Sequence, residues 1–213
     1  MIDYLVRRSD RVLNCFVTHL ELTLTAVVLA FCLASLLALA AYHSKAFSFI
    51  INGFTNAVYA IPTLAMFSFL IPIAGIGRVT AVITMVVFNQ FILVKALTSA
   101  IGFVEPSVIE SARAMGMSRL QVFFGVRLPL ATPLILNGLK LSFTSTISGA
   151  TLAAVIGAGG LGELIFEGMA VRKWVMVYWG IILSTLLAFV VNQIFQLLEK
   201  RSLSYTRGEA KTR

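Results

Sequence analysis

The chain has 213 residues, of which 59% are hydrophobic and only 12% are charged, and its mean hydropathy is +0.93. Soluble domains carry about 25% charged residues, so this composition excludes a soluble globular enzyme and predicts an all-α, polytopic membrane protein with about five transmembrane helices. The formal net charge of +8 is typical of basic residues that flank membrane spans and does not indicate a nucleic-acid partner.

The first residues, 1–17, mix apolar side chains with Arg7, Arg8 and Arg11, a pattern typical of a helix that lies in the membrane interface. A transmembrane domain is expected over residues 18–200, followed by a basic tail over residues 201–213. The apolar runs predict five spans, at residues 20–42, 47–74, 79–100, 131–156 and 175–198.

The second apolar run is long and contains Gly53, Pro62 and Pro72. Pro62 has no backbone N–H and its ring clashes one turn back, which predicts a kink or a break near residues 59–62. In a membrane, such a break persists only where protein or a water-filled cavity covers the freed backbone groups. The break is therefore a candidate part of a transport pathway.

The third span contains Asn89 and Gln90, which are expected either to line a pathway or to hydrogen-bond between spans. Lys95 and Lys140 also lie within apolar segments. Ionisable residues at membrane depth indicate function by default. Both lie near expected cytoplasmic ends, however, where a lysine can extend its ammonium group to the interface.

Residues 105–129 read EPSVIESARAMGMSRLQVFFGVRLP and form a polar segment between two spans. The S-x-x-E pattern at Ser107 predicts a capping box and a first short helix that ends at Gly116. The S-x-x-Q pattern at Ser118 predicts a second short helix, which Pro129 should end. A DNA-binding helix-turn-helix would need many more cations, so the exposed methionines and phenylalanines favour a protein partner.

The sequence VIGAGGLGELI at residues 155–165 contains the glycine pattern of a dinucleotide-binding loop. That site needs a preceding strand and an acidic residue about twenty positions later. Here a membrane span precedes the glycines and another span follows them, which excludes that interpretation. The glycines instead predict an unwound helix end with close backbone approach. Together with Pro62 they are the candidates for a hinge or gate, and they are Gly157, Gly159, Gly160 and Gly162.

Loop charge sets the expected orientation. The 102–129 segment and the C-terminal tail carry most of the basic residues on one side, which predicts that this side is cytoplasmic. Five spans then place the N-terminus outside, where Arg7, Arg8 and Arg11 do not fit the charge rule. Either the N-terminal helix tolerates these charges, or the chain has a different number of spans.

The 105–129 segment resembles the coupling motif of permeases from ATP-binding-cassette (ABC) importers of the binding-protein-dependent class. That motif reads E-A-A, three residues, G, nine residues, I-x-L-P. Ser111 replaces the first alanine and Val126 the isoleucine, whereas the following residues match: Glu110, Ala112, Gly116, Leu128 and Pro129. The stretches 61–77 and 149–165 also resemble the osmoprotectant permeases, which carry glycine betaine, carnitine and choline.

The resemblance implies a MetI-like transmembrane fold in the bacterial cytoplasmic membrane and a chain with no catalytic residue, metal or cofactor of its own. ATP and Mg²⁺ would be bound by two cytoplasmic ATPase subunits. The other implied partners are a second permease subunit, alike or different, an extracytoplasmic substrate-binding protein and membrane lipid, with no nucleic acid. The residues implied to contact the ATPase are Glu110, Ala112, Met115, Gly116, Met117, Leu128 and Pro129.

Aromatic faces near the break are candidates for binding a quaternary ammonium group, and Tyr59, Phe67 and Phe69 could supply them. The pathway candidates are therefore Tyr59, Asn89 and Gln90. Phenylalanines are equally typical of helices that face lipid.

An importer for methionine or another small solute is the alternative within the class, and a secondary transporter or channel is the alternative outside it.

Overall fold

The structure is a computed structural model that describes residues 2–206, so the tail residues Arg207, Lys211 and Arg213 lie outside the described residues. The described chain is built of helices: α1 (Ile2–Arg7), α2 (Ser9–His43), α3 (Lys45–Tyr59), α4 (Thr63–Ala74), α5 (Arg78–Gly102), α6 (Pro106–Ala114), α7 (Arg119–Val122), a π-helical turn (Phe123–Arg127), α8 (Leu128–Ala153), a 3₁₀ turn (Ala154–Ile156), α9 (Leu161–Ala170) and α10 (Trp174–Thr206).

Within the described residues, four helices are long and apolar enough to cross a membrane: Ser9–His43, Arg78–Gly102, Arg119–Ile156 and Trp174–Ser204. The pair α3 and α4 adds a fifth crossing if it counts as one broken span, since the two helices meet at 100°. The prediction of about five transmembrane helices is confirmed.

The break in the second span occurs where the sequence predicts it. Helix α3 ends at Tyr59, and Pro62 adopts φ −58° and ψ 136° before α4 begins at Thr63. Two of the three residues between the helices donate their backbone N–H groups back to α3, Ala60 to Asn56 and Ile61 to Val58. Because Pro62 has no N–H, the bend leaves no backbone donor free within residues 60–62.

The structure divides residues 1–17 differently from the sequence prediction. The separate N-terminal helix covers only Ile2–Arg7, and residues 9–17 already belong to the long helix α2. Val12 and Cys15 explain the difference, because both are buried against Leu161 and Leu164 of α9. Burial of this apolar face extends α2 by about three turns beyond the predicted span.

Small residues bring the central helices α2, α5 and α8 together. Ala26, Ala30, Ala34 and Ala38 repeat at every fourth position of α2 and are at most 1% exposed. A Cβ atom at Gly138 of α8 would lie only 2.4 Å from the Cβ of Ala96 in α5. Close contact through small residues is the usual way in which helices associate in membranes.

The bundle has two ends that are far apart. Helix α8 has 26 residues and spans about 39 Å at 1.5 Å per residue. The short helices α6 and α7 lie at its start, which we call the short-helix end. Residues 157–162 follow its other end, which we call the glycine end, and the N-terminal part of α2 also lies there, since His19 contacts Leu161.

The close approach at Gly138 predicts a measurable loss of stability in the variant Gly138→Ala. The added methyl group overlaps Ala96, and overpacking of this kind costs about 1–3 kcal/mol. The thermal unfolding midpoint of the purified protein in detergent measures the loss.

The matched control is Gly53→Ala in α3, where a Cβ would meet no atom within 4 Å. Replacing a helical glycine with alanine at an open position stabilises by about 0.5–1 kcal/mol. An equal midpoint for the two variants would show that α5 and α8 do not pack this closely.

Candidate functional site

A cavity of about 730 Å³ lies between the broken helix and helices α5 and α8. Tyr59 and Pro62 form its wall on the side of the break, and Phe88 and Asn89 contribute from α5. Helix α8 supplies a wall of hydroxyl groups: Thr144, Ser145, Thr146 and Ser148. The structure thus brings together three residues that the sequence singled out separately, namely Tyr59, Pro62 and Asn89.

The aromatic groups beside the cavity differ in part from those expected. Tyr59 stacks on Phe91 at 4.4 Å between ring centroids and meets Phe88 edge-on at 6.3 Å. Phe67, in contrast, is only 1% exposed in the apolar core, and Phe69 does not line this cavity. Phe67 and Phe69 therefore do not join Tyr59 at the cavity, whereas Phe88 does. Phe91 stacks on Tyr59 without lining the cavity.

Asn89 is buried and joins two spans by hydrogen bonds. Its Nδ2 atom donates to the hydroxyl of Thr146 at 2.8 Å, and its Oδ1 atom accepts from Ser142 at 2.7 Å. Asn89 thus makes the hydrogen bonds between spans that the sequence suggested, and it also borders the cavity. This amide network fixes α5 against α8 beside the polar wall.

Gln90 faces a different neighbour. Its Nε2 atom donates to the carbonyl of Ala30 in α2 at 3.2 Å and to that of Val86 at 2.9 Å. It does not line the cavity. The structure therefore places Gln90 between spans, on the side of α5 that packs against α2.

The two lysines at membrane depth have separate partners. Lys140 forms an ion pair with Glu199 of α10 at 3.4 Å. The ammonium group of Lys95 lies 5.5 Å from the centroid of the Phe91 ring, on the side of α5 that carries the aromatic stack. Neither lysine lines the 730 Å³ cavity.

The first short helix, α6, begins one residue earlier than predicted. Glu105 is its N-cap and Pro106 occupies the first turn, where the missing N–H has no consequence. Ser107 donates its hydroxyl to the Glu105 carboxylate at 3.2 Å. The predicted capping box between Ser107 and Glu110 is therefore wrong, because the proline already starts the helix.

Gly116 ends α6 as predicted. Its φ of +83° lies in the left-handed region that favours glycine. The N–H of Met117 donates to Ala112 at 3.3 Å and that of Gly116 to Arg113 at 2.9 Å, which is the Schellman pattern of a helix end. Met117 also packs against the buried cluster that contains Ala112.

The second short helix has the predicted capping box but not the predicted end. Gln121 donates its N–H to the hydroxyl of Ser118 at 3.3 Å, and Ser118 donates its N–H to the Gln121 side chain at 2.8 Å. The chain then passes through a π-helical turn, in which Leu128 donates to Phe123, and enters α8 directly. Pro129 does not end a helix, because it directly follows the wider π-helical turn, which lets the chain continue through the proline into α8.

The residues that the resemblance implies for ATPase contact divide into an outer and an inner group. Glu110 and Gly116 are exposed and Met115 is 76% exposed, whereas Ala112 is buried and Met117 partly buried. Leu128 and Pro129 are half-buried at the start of α8. Two further apolar side chains enlarge the outer surface, Leu120 at 71% and Phe124 at 62% exposed. We call this surface, formed by Glu110, Met115, Leu120 and Phe124, the outer coupling face.

The π-helical turn is also attached to the first span. Arg127 donates a hydrogen bond to the hydroxyl of Tyr42, and its guanidinium lies 5.1 Å from the centroid of the Tyr42 ring. Tyr42 lies in the last turn of α2. The short-helix end therefore contacts α2 as well as α8.

At the glycine end, the four predicted glycines have two distinct roles. Gly157, Gly159 and Gly160 have φ values of +72°, +83° and +83°, so the backbone unwinds there as expected. Gly162 lies in α9, where a Cβ atom would come within 2.0 Å of the Thr151 carbonyl oxygen. Its role is close approach to α8.

The N-terminal arginines have acidic partners at the glycine end, a feature that sequence reasoning did not find. Arg11 forms ion pairs with Glu163, at 3.3 Å, and with Glu167. The hydrogen bond from Arg11 lowers the pKa of the Glu167 carboxyl group below its ordinary value. Arg7 is paired with Asp3 at 2.9 Å. Partial neutralisation makes five spans compatible with an N-terminus on the side opposite the short helices.

Comparisons with known proteins agree on one family. A model of binding-protein-dependent transport system inner membrane components matches residues 22–204. The glycine betaine/carnitine/choline transport system permease protein OpuCB of Bacillus subtilis (strain 168) is 30% identical over 201 residues, which are 94% of this chain and 93% of that protein. The permease protein OpuCD of the glycine betaine/carnitine/choline transport system of the same organism is 27% identical over 198 residues, which are 92% of this chain and 86% of that protein.

A solved structure has the same fold. An inward-facing form of the MetNI methionine ABC transporter superposes with a TM-score of 0.81 and 17% identity, covering 92% of this chain and 98% of that chain. At this identity the likeness concerns the fold alone. It agrees with the MetI-like transmembrane fold expected from the sequence.

The ion pairs of Arg11 predict a pH-dependent loss of stability in the variant Arg11→Gln. A carboxyl group whose pKa is lowered by folding stabilises the protein above its unfolded pKa, and that stability is lost as the pH falls through the folded value. At about pH 7 the variant should have a free energy of unfolding about 0.2–1 kcal/mol below that of the wild type, the contribution expected of such half-exposed groups. It should therefore unfold at a lower temperature. The difference should shrink as the pH falls below about 4.3, the ordinary glutamate value, and through the lowered pKa of Glu167.

The control is Arg7→Gln, since Arg7 and Asp3 are more than three-quarters exposed and such a pair contributes little. Thermal unfolding of both variants in detergent at the two pH values makes the comparison. A constant difference between wild type and Arg11→Gln at both pH values would contradict a role for the Glu167 charge.

Proposed function

The chain belongs to the inner membrane components of binding-protein-dependent transport systems, and from this membership we propose that it forms the pathway of an ATP-driven importer for osmoprotectant quaternary ammonium compounds. Glycine betaine, choline and carnitine are the expected substrates. The observation that carries this proposal is the 30% identity to a glycine betaine/carnitine/choline permease over 94% of the chain. The chain itself is a permease subunit of the inner membrane, as the 105–129 motif predicts.

The cavity supports the substrate class. Aromatic rings attract quaternary ammonium ions through their electron-rich faces, and Tyr59 and Phe88 bring two such rings to the cavity wall. The hydroxyl groups of α8 stand on the opposite wall and can accept or donate hydrogen bonds to a carboxylate or hydroxyl group. Among the described residues that line the cavity, none is charged. Glycine betaine and carnitine carry their own carboxylate counter-charge and need none from the wall, whereas choline would rely on the aromatic faces and the hydroxyl groups.

The short-helix end supports coupling to an ATPase. Apolar side chains in water indicate a protein interface, and the outer coupling face presents Met115, Leu120 and Phe124 there. In this proposal two ATPase subunits, which bind ATP and Mg²⁺, dock on this face and on its counterpart in a second permease. Catalysis then belongs to the ATPase, and this chain transmits its movement.

The proposed path of that movement follows one continuous helix. Residues 119–156 pass without interruption from the second short helix to the glycine end. A displacement of α7 therefore shifts α8 as a body, and Tyr42 carries part of it to α2 through Arg127. Gly157, Gly159 and Gly160 allow the backbone to turn at the far end, which makes them the proposed gate hinge together with Pro62.

The proposed orientation places the short-helix end in the cytoplasm. The glycine end then faces the extracytoplasmic binding protein that delivers the substrate. A second permease subunit completes the pathway, and two different permeases, OpuCB and OpuCD, carry the same system name in Bacillus subtilis. The second subunit is either another copy of this chain or a sister permease.

The coupling proposal predicts the effect of changes on the outer coupling face. Glu110→Gln and Met115→Asp should reduce both co-purification of the ATPase and ATP-driven uptake by about tenfold or more, because an interface loses a charged contact or gains a buried charge. Pull-down from membranes and uptake into vesicles measure the two effects.

The matched control is Glu105→Gln, which removes another exposed acid at the start of the same helix, outside the E-A-A pattern that begins at Glu110. We expect it to retain the ATPase. If the wild-type chain purifies without an ATPase and transport survives depletion of ATP, the chain works as a secondary transporter or channel and the importer proposal fails.

The cavity predicts a substrate effect at Tyr59. Tyr59→Ala should raise the apparent KM for glycine betaine about two- to thirtyfold, the range expected for one cation–π contact, whereas Tyr59→Phe should stay close to the wild type. Uptake is measured with saturating binding protein, and Phe69→Ala is the control for an exposed aromatic residue outside the cavity.

Uptake of methionine in the same strain tests the alternative substrate. Methionine has no quaternary ammonium group, so the osmoprotectant proposal predicts that it is not carried. A preference of the wild type for methionine over glycine betaine, choline and carnitine would overturn the substrate class and leave the importer function intact.

A further inference from the structure

A second cavity lies at the glycine end, outside the proposed pathway. It has a volume of about 470 Å³ and lies between α1 and the start of α10. Four basic side chains line it against a single acidic one: Arg7, Arg8, Arg172 and Lys173, with Asp3. The excess of cations is unusual for the side of a membrane protein that is expected to carry few of them.

The acids nearby leave most of this charge unpaired. Asp3 forms an ion pair with Arg7. Within residues 2–206, Arg8, Arg172 and Lys173 form no ion pair. Glu167 feels the charge of Lys173, but its hydrogen bond goes to Arg11. The cavity thus presents cations that the described protein does not neutralise.

Arg172 occupies a backbone position that favours glycine. Its φ of +56° is the one left-handed value found at a non-glycine residue among the described positions. The N–H of Lys173 donates to Gly168 and that of Arg172 to Met169, at 2.8 and 3.2 Å, which is a Schellman helix end normally made by glycine. An arginine kept there against its conformational preference indicates a use for its side chain.

The cavity lies at the depth of the membrane interface. Trp174 lines it and is the first residue of the span Trp174–Ser204. Tyr178 follows one turn later on the same face, and the two are 58% and 52% exposed. Exposed Trp and Tyr at the start of a span are typical of the headgroup region. Val6 on α1 is also 71% exposed, as expected for a side chain that rests on lipid.

We propose that this cavity binds the phosphate of an anionic phospholipid headgroup. Guanidinium groups match phosphate oxygens in paired hydrogen bonds, and lysine adds a point charge. The exposed apolar and aromatic side chains around the cations match the acyl region of the same lipid. An acidic protein surface would neutralise the cations, but it would not explain the exposed apolar side chains of Val6 and Trp174 beside them.

The bound lipid has a structural consequence. Its headgroup bridges α1 to the turn between α9 and α10, and so it holds the N-terminal helix against the glycine end. Anionic lipid therefore stabilises the region beside the proposed hinge, independently of the substrate that the chain carries.

The test uses the fluorescence of Trp174 in the full chain, with Trp179→Phe so that one tryptophan remains. The protein is placed in phosphatidylcholine vesicles that contain either brominated phosphatidylglycerol or brominated phosphatidylcholine at equal mole fraction. We expect brominated phosphatidylglycerol to quench more strongly, with a relative binding constant of about five or more, the effect of one basic residue near an anionic surface.

The preference should disappear in the triple variant Arg8→Gln, Arg172→Gln, Lys173→Gln. The matched control removes three cations at the other end of the bundle, Lys45, Lys200 and Arg201, each replaced by Gln, and should leave the quenching of Trp174 unchanged. Equal quenching by both lipids in the wild type, or a preference that survives the triple variant, would overturn the proposal.

A single variant separates the side chain from the backbone. Arg172→Gly places the favoured residue at this φ, so the thermal midpoint in detergent should rise while the preference for phosphatidylglycerol falls. A retained preference in Arg172→Gly would overturn the contribution of this arginine to the site.

Two further measurements identify other occupants. Inorganic phosphate, matched in ionic strength with chloride, should not change the quenching ratio, and a specific decrease would mean that the site takes free phosphate. Loss of binding-protein affinity in the triple variant, together with equal quenching by the two lipids, would assign the cavity to an acidic protein surface instead.

Discussion

The constraint on which the rest of the structure depends is that a backbone N–H or C=O group in hydrocarbon must find a partner within the protein. Four of the apolar elements meet it by being continuous helices. The pair α3 and α4 does not, because it bends by 100° at Pro62. The polar wall of α8 and the amide of Asn89 lie beside that bend, and so the cavity forms where the helical pattern is given up.

Local features of this fold follow from local chemistry, and the sequence predicts them well. The break at Pro62, the left-handed Gly116 and the capping box at Ser118 each depend on a few neighbouring residues. The features that were missed depend on contacts between distant parts of the chain. Phe91 meets Tyr59 only because α3 packs on α5, and Arg11 reaches Glu163 across 152 positions. No local pattern encodes such register.

The proline at position 129 shows how a local rule can fail within its own range. A proline after a short helix predicts an end, but the wide turn at Phe123–Arg127 lets the helix continue into α8. The result is one helix from residue 119 to residue 156. The short-helix end and the glycine end are therefore joined by one continuous helix, which neither end would suggest alone.

The contact of Gly138 with Ala96 also limits how the molecule can move. Larger side chains, Leu134 and Leu141, flank Gly138 along α8, so sliding α5 along α8 by one turn would bring bulky groups into a space that admits none. Asn89 adds a second fixed point nearby through Ser142 and Thr146. Because of this close packing and these hydrogen bonds, α5 and α8 form a single packed unit. Relative displacement of helices therefore falls at the borders of this unit, and the bent pair α3 and α4 is the neighbour without a continuous helix.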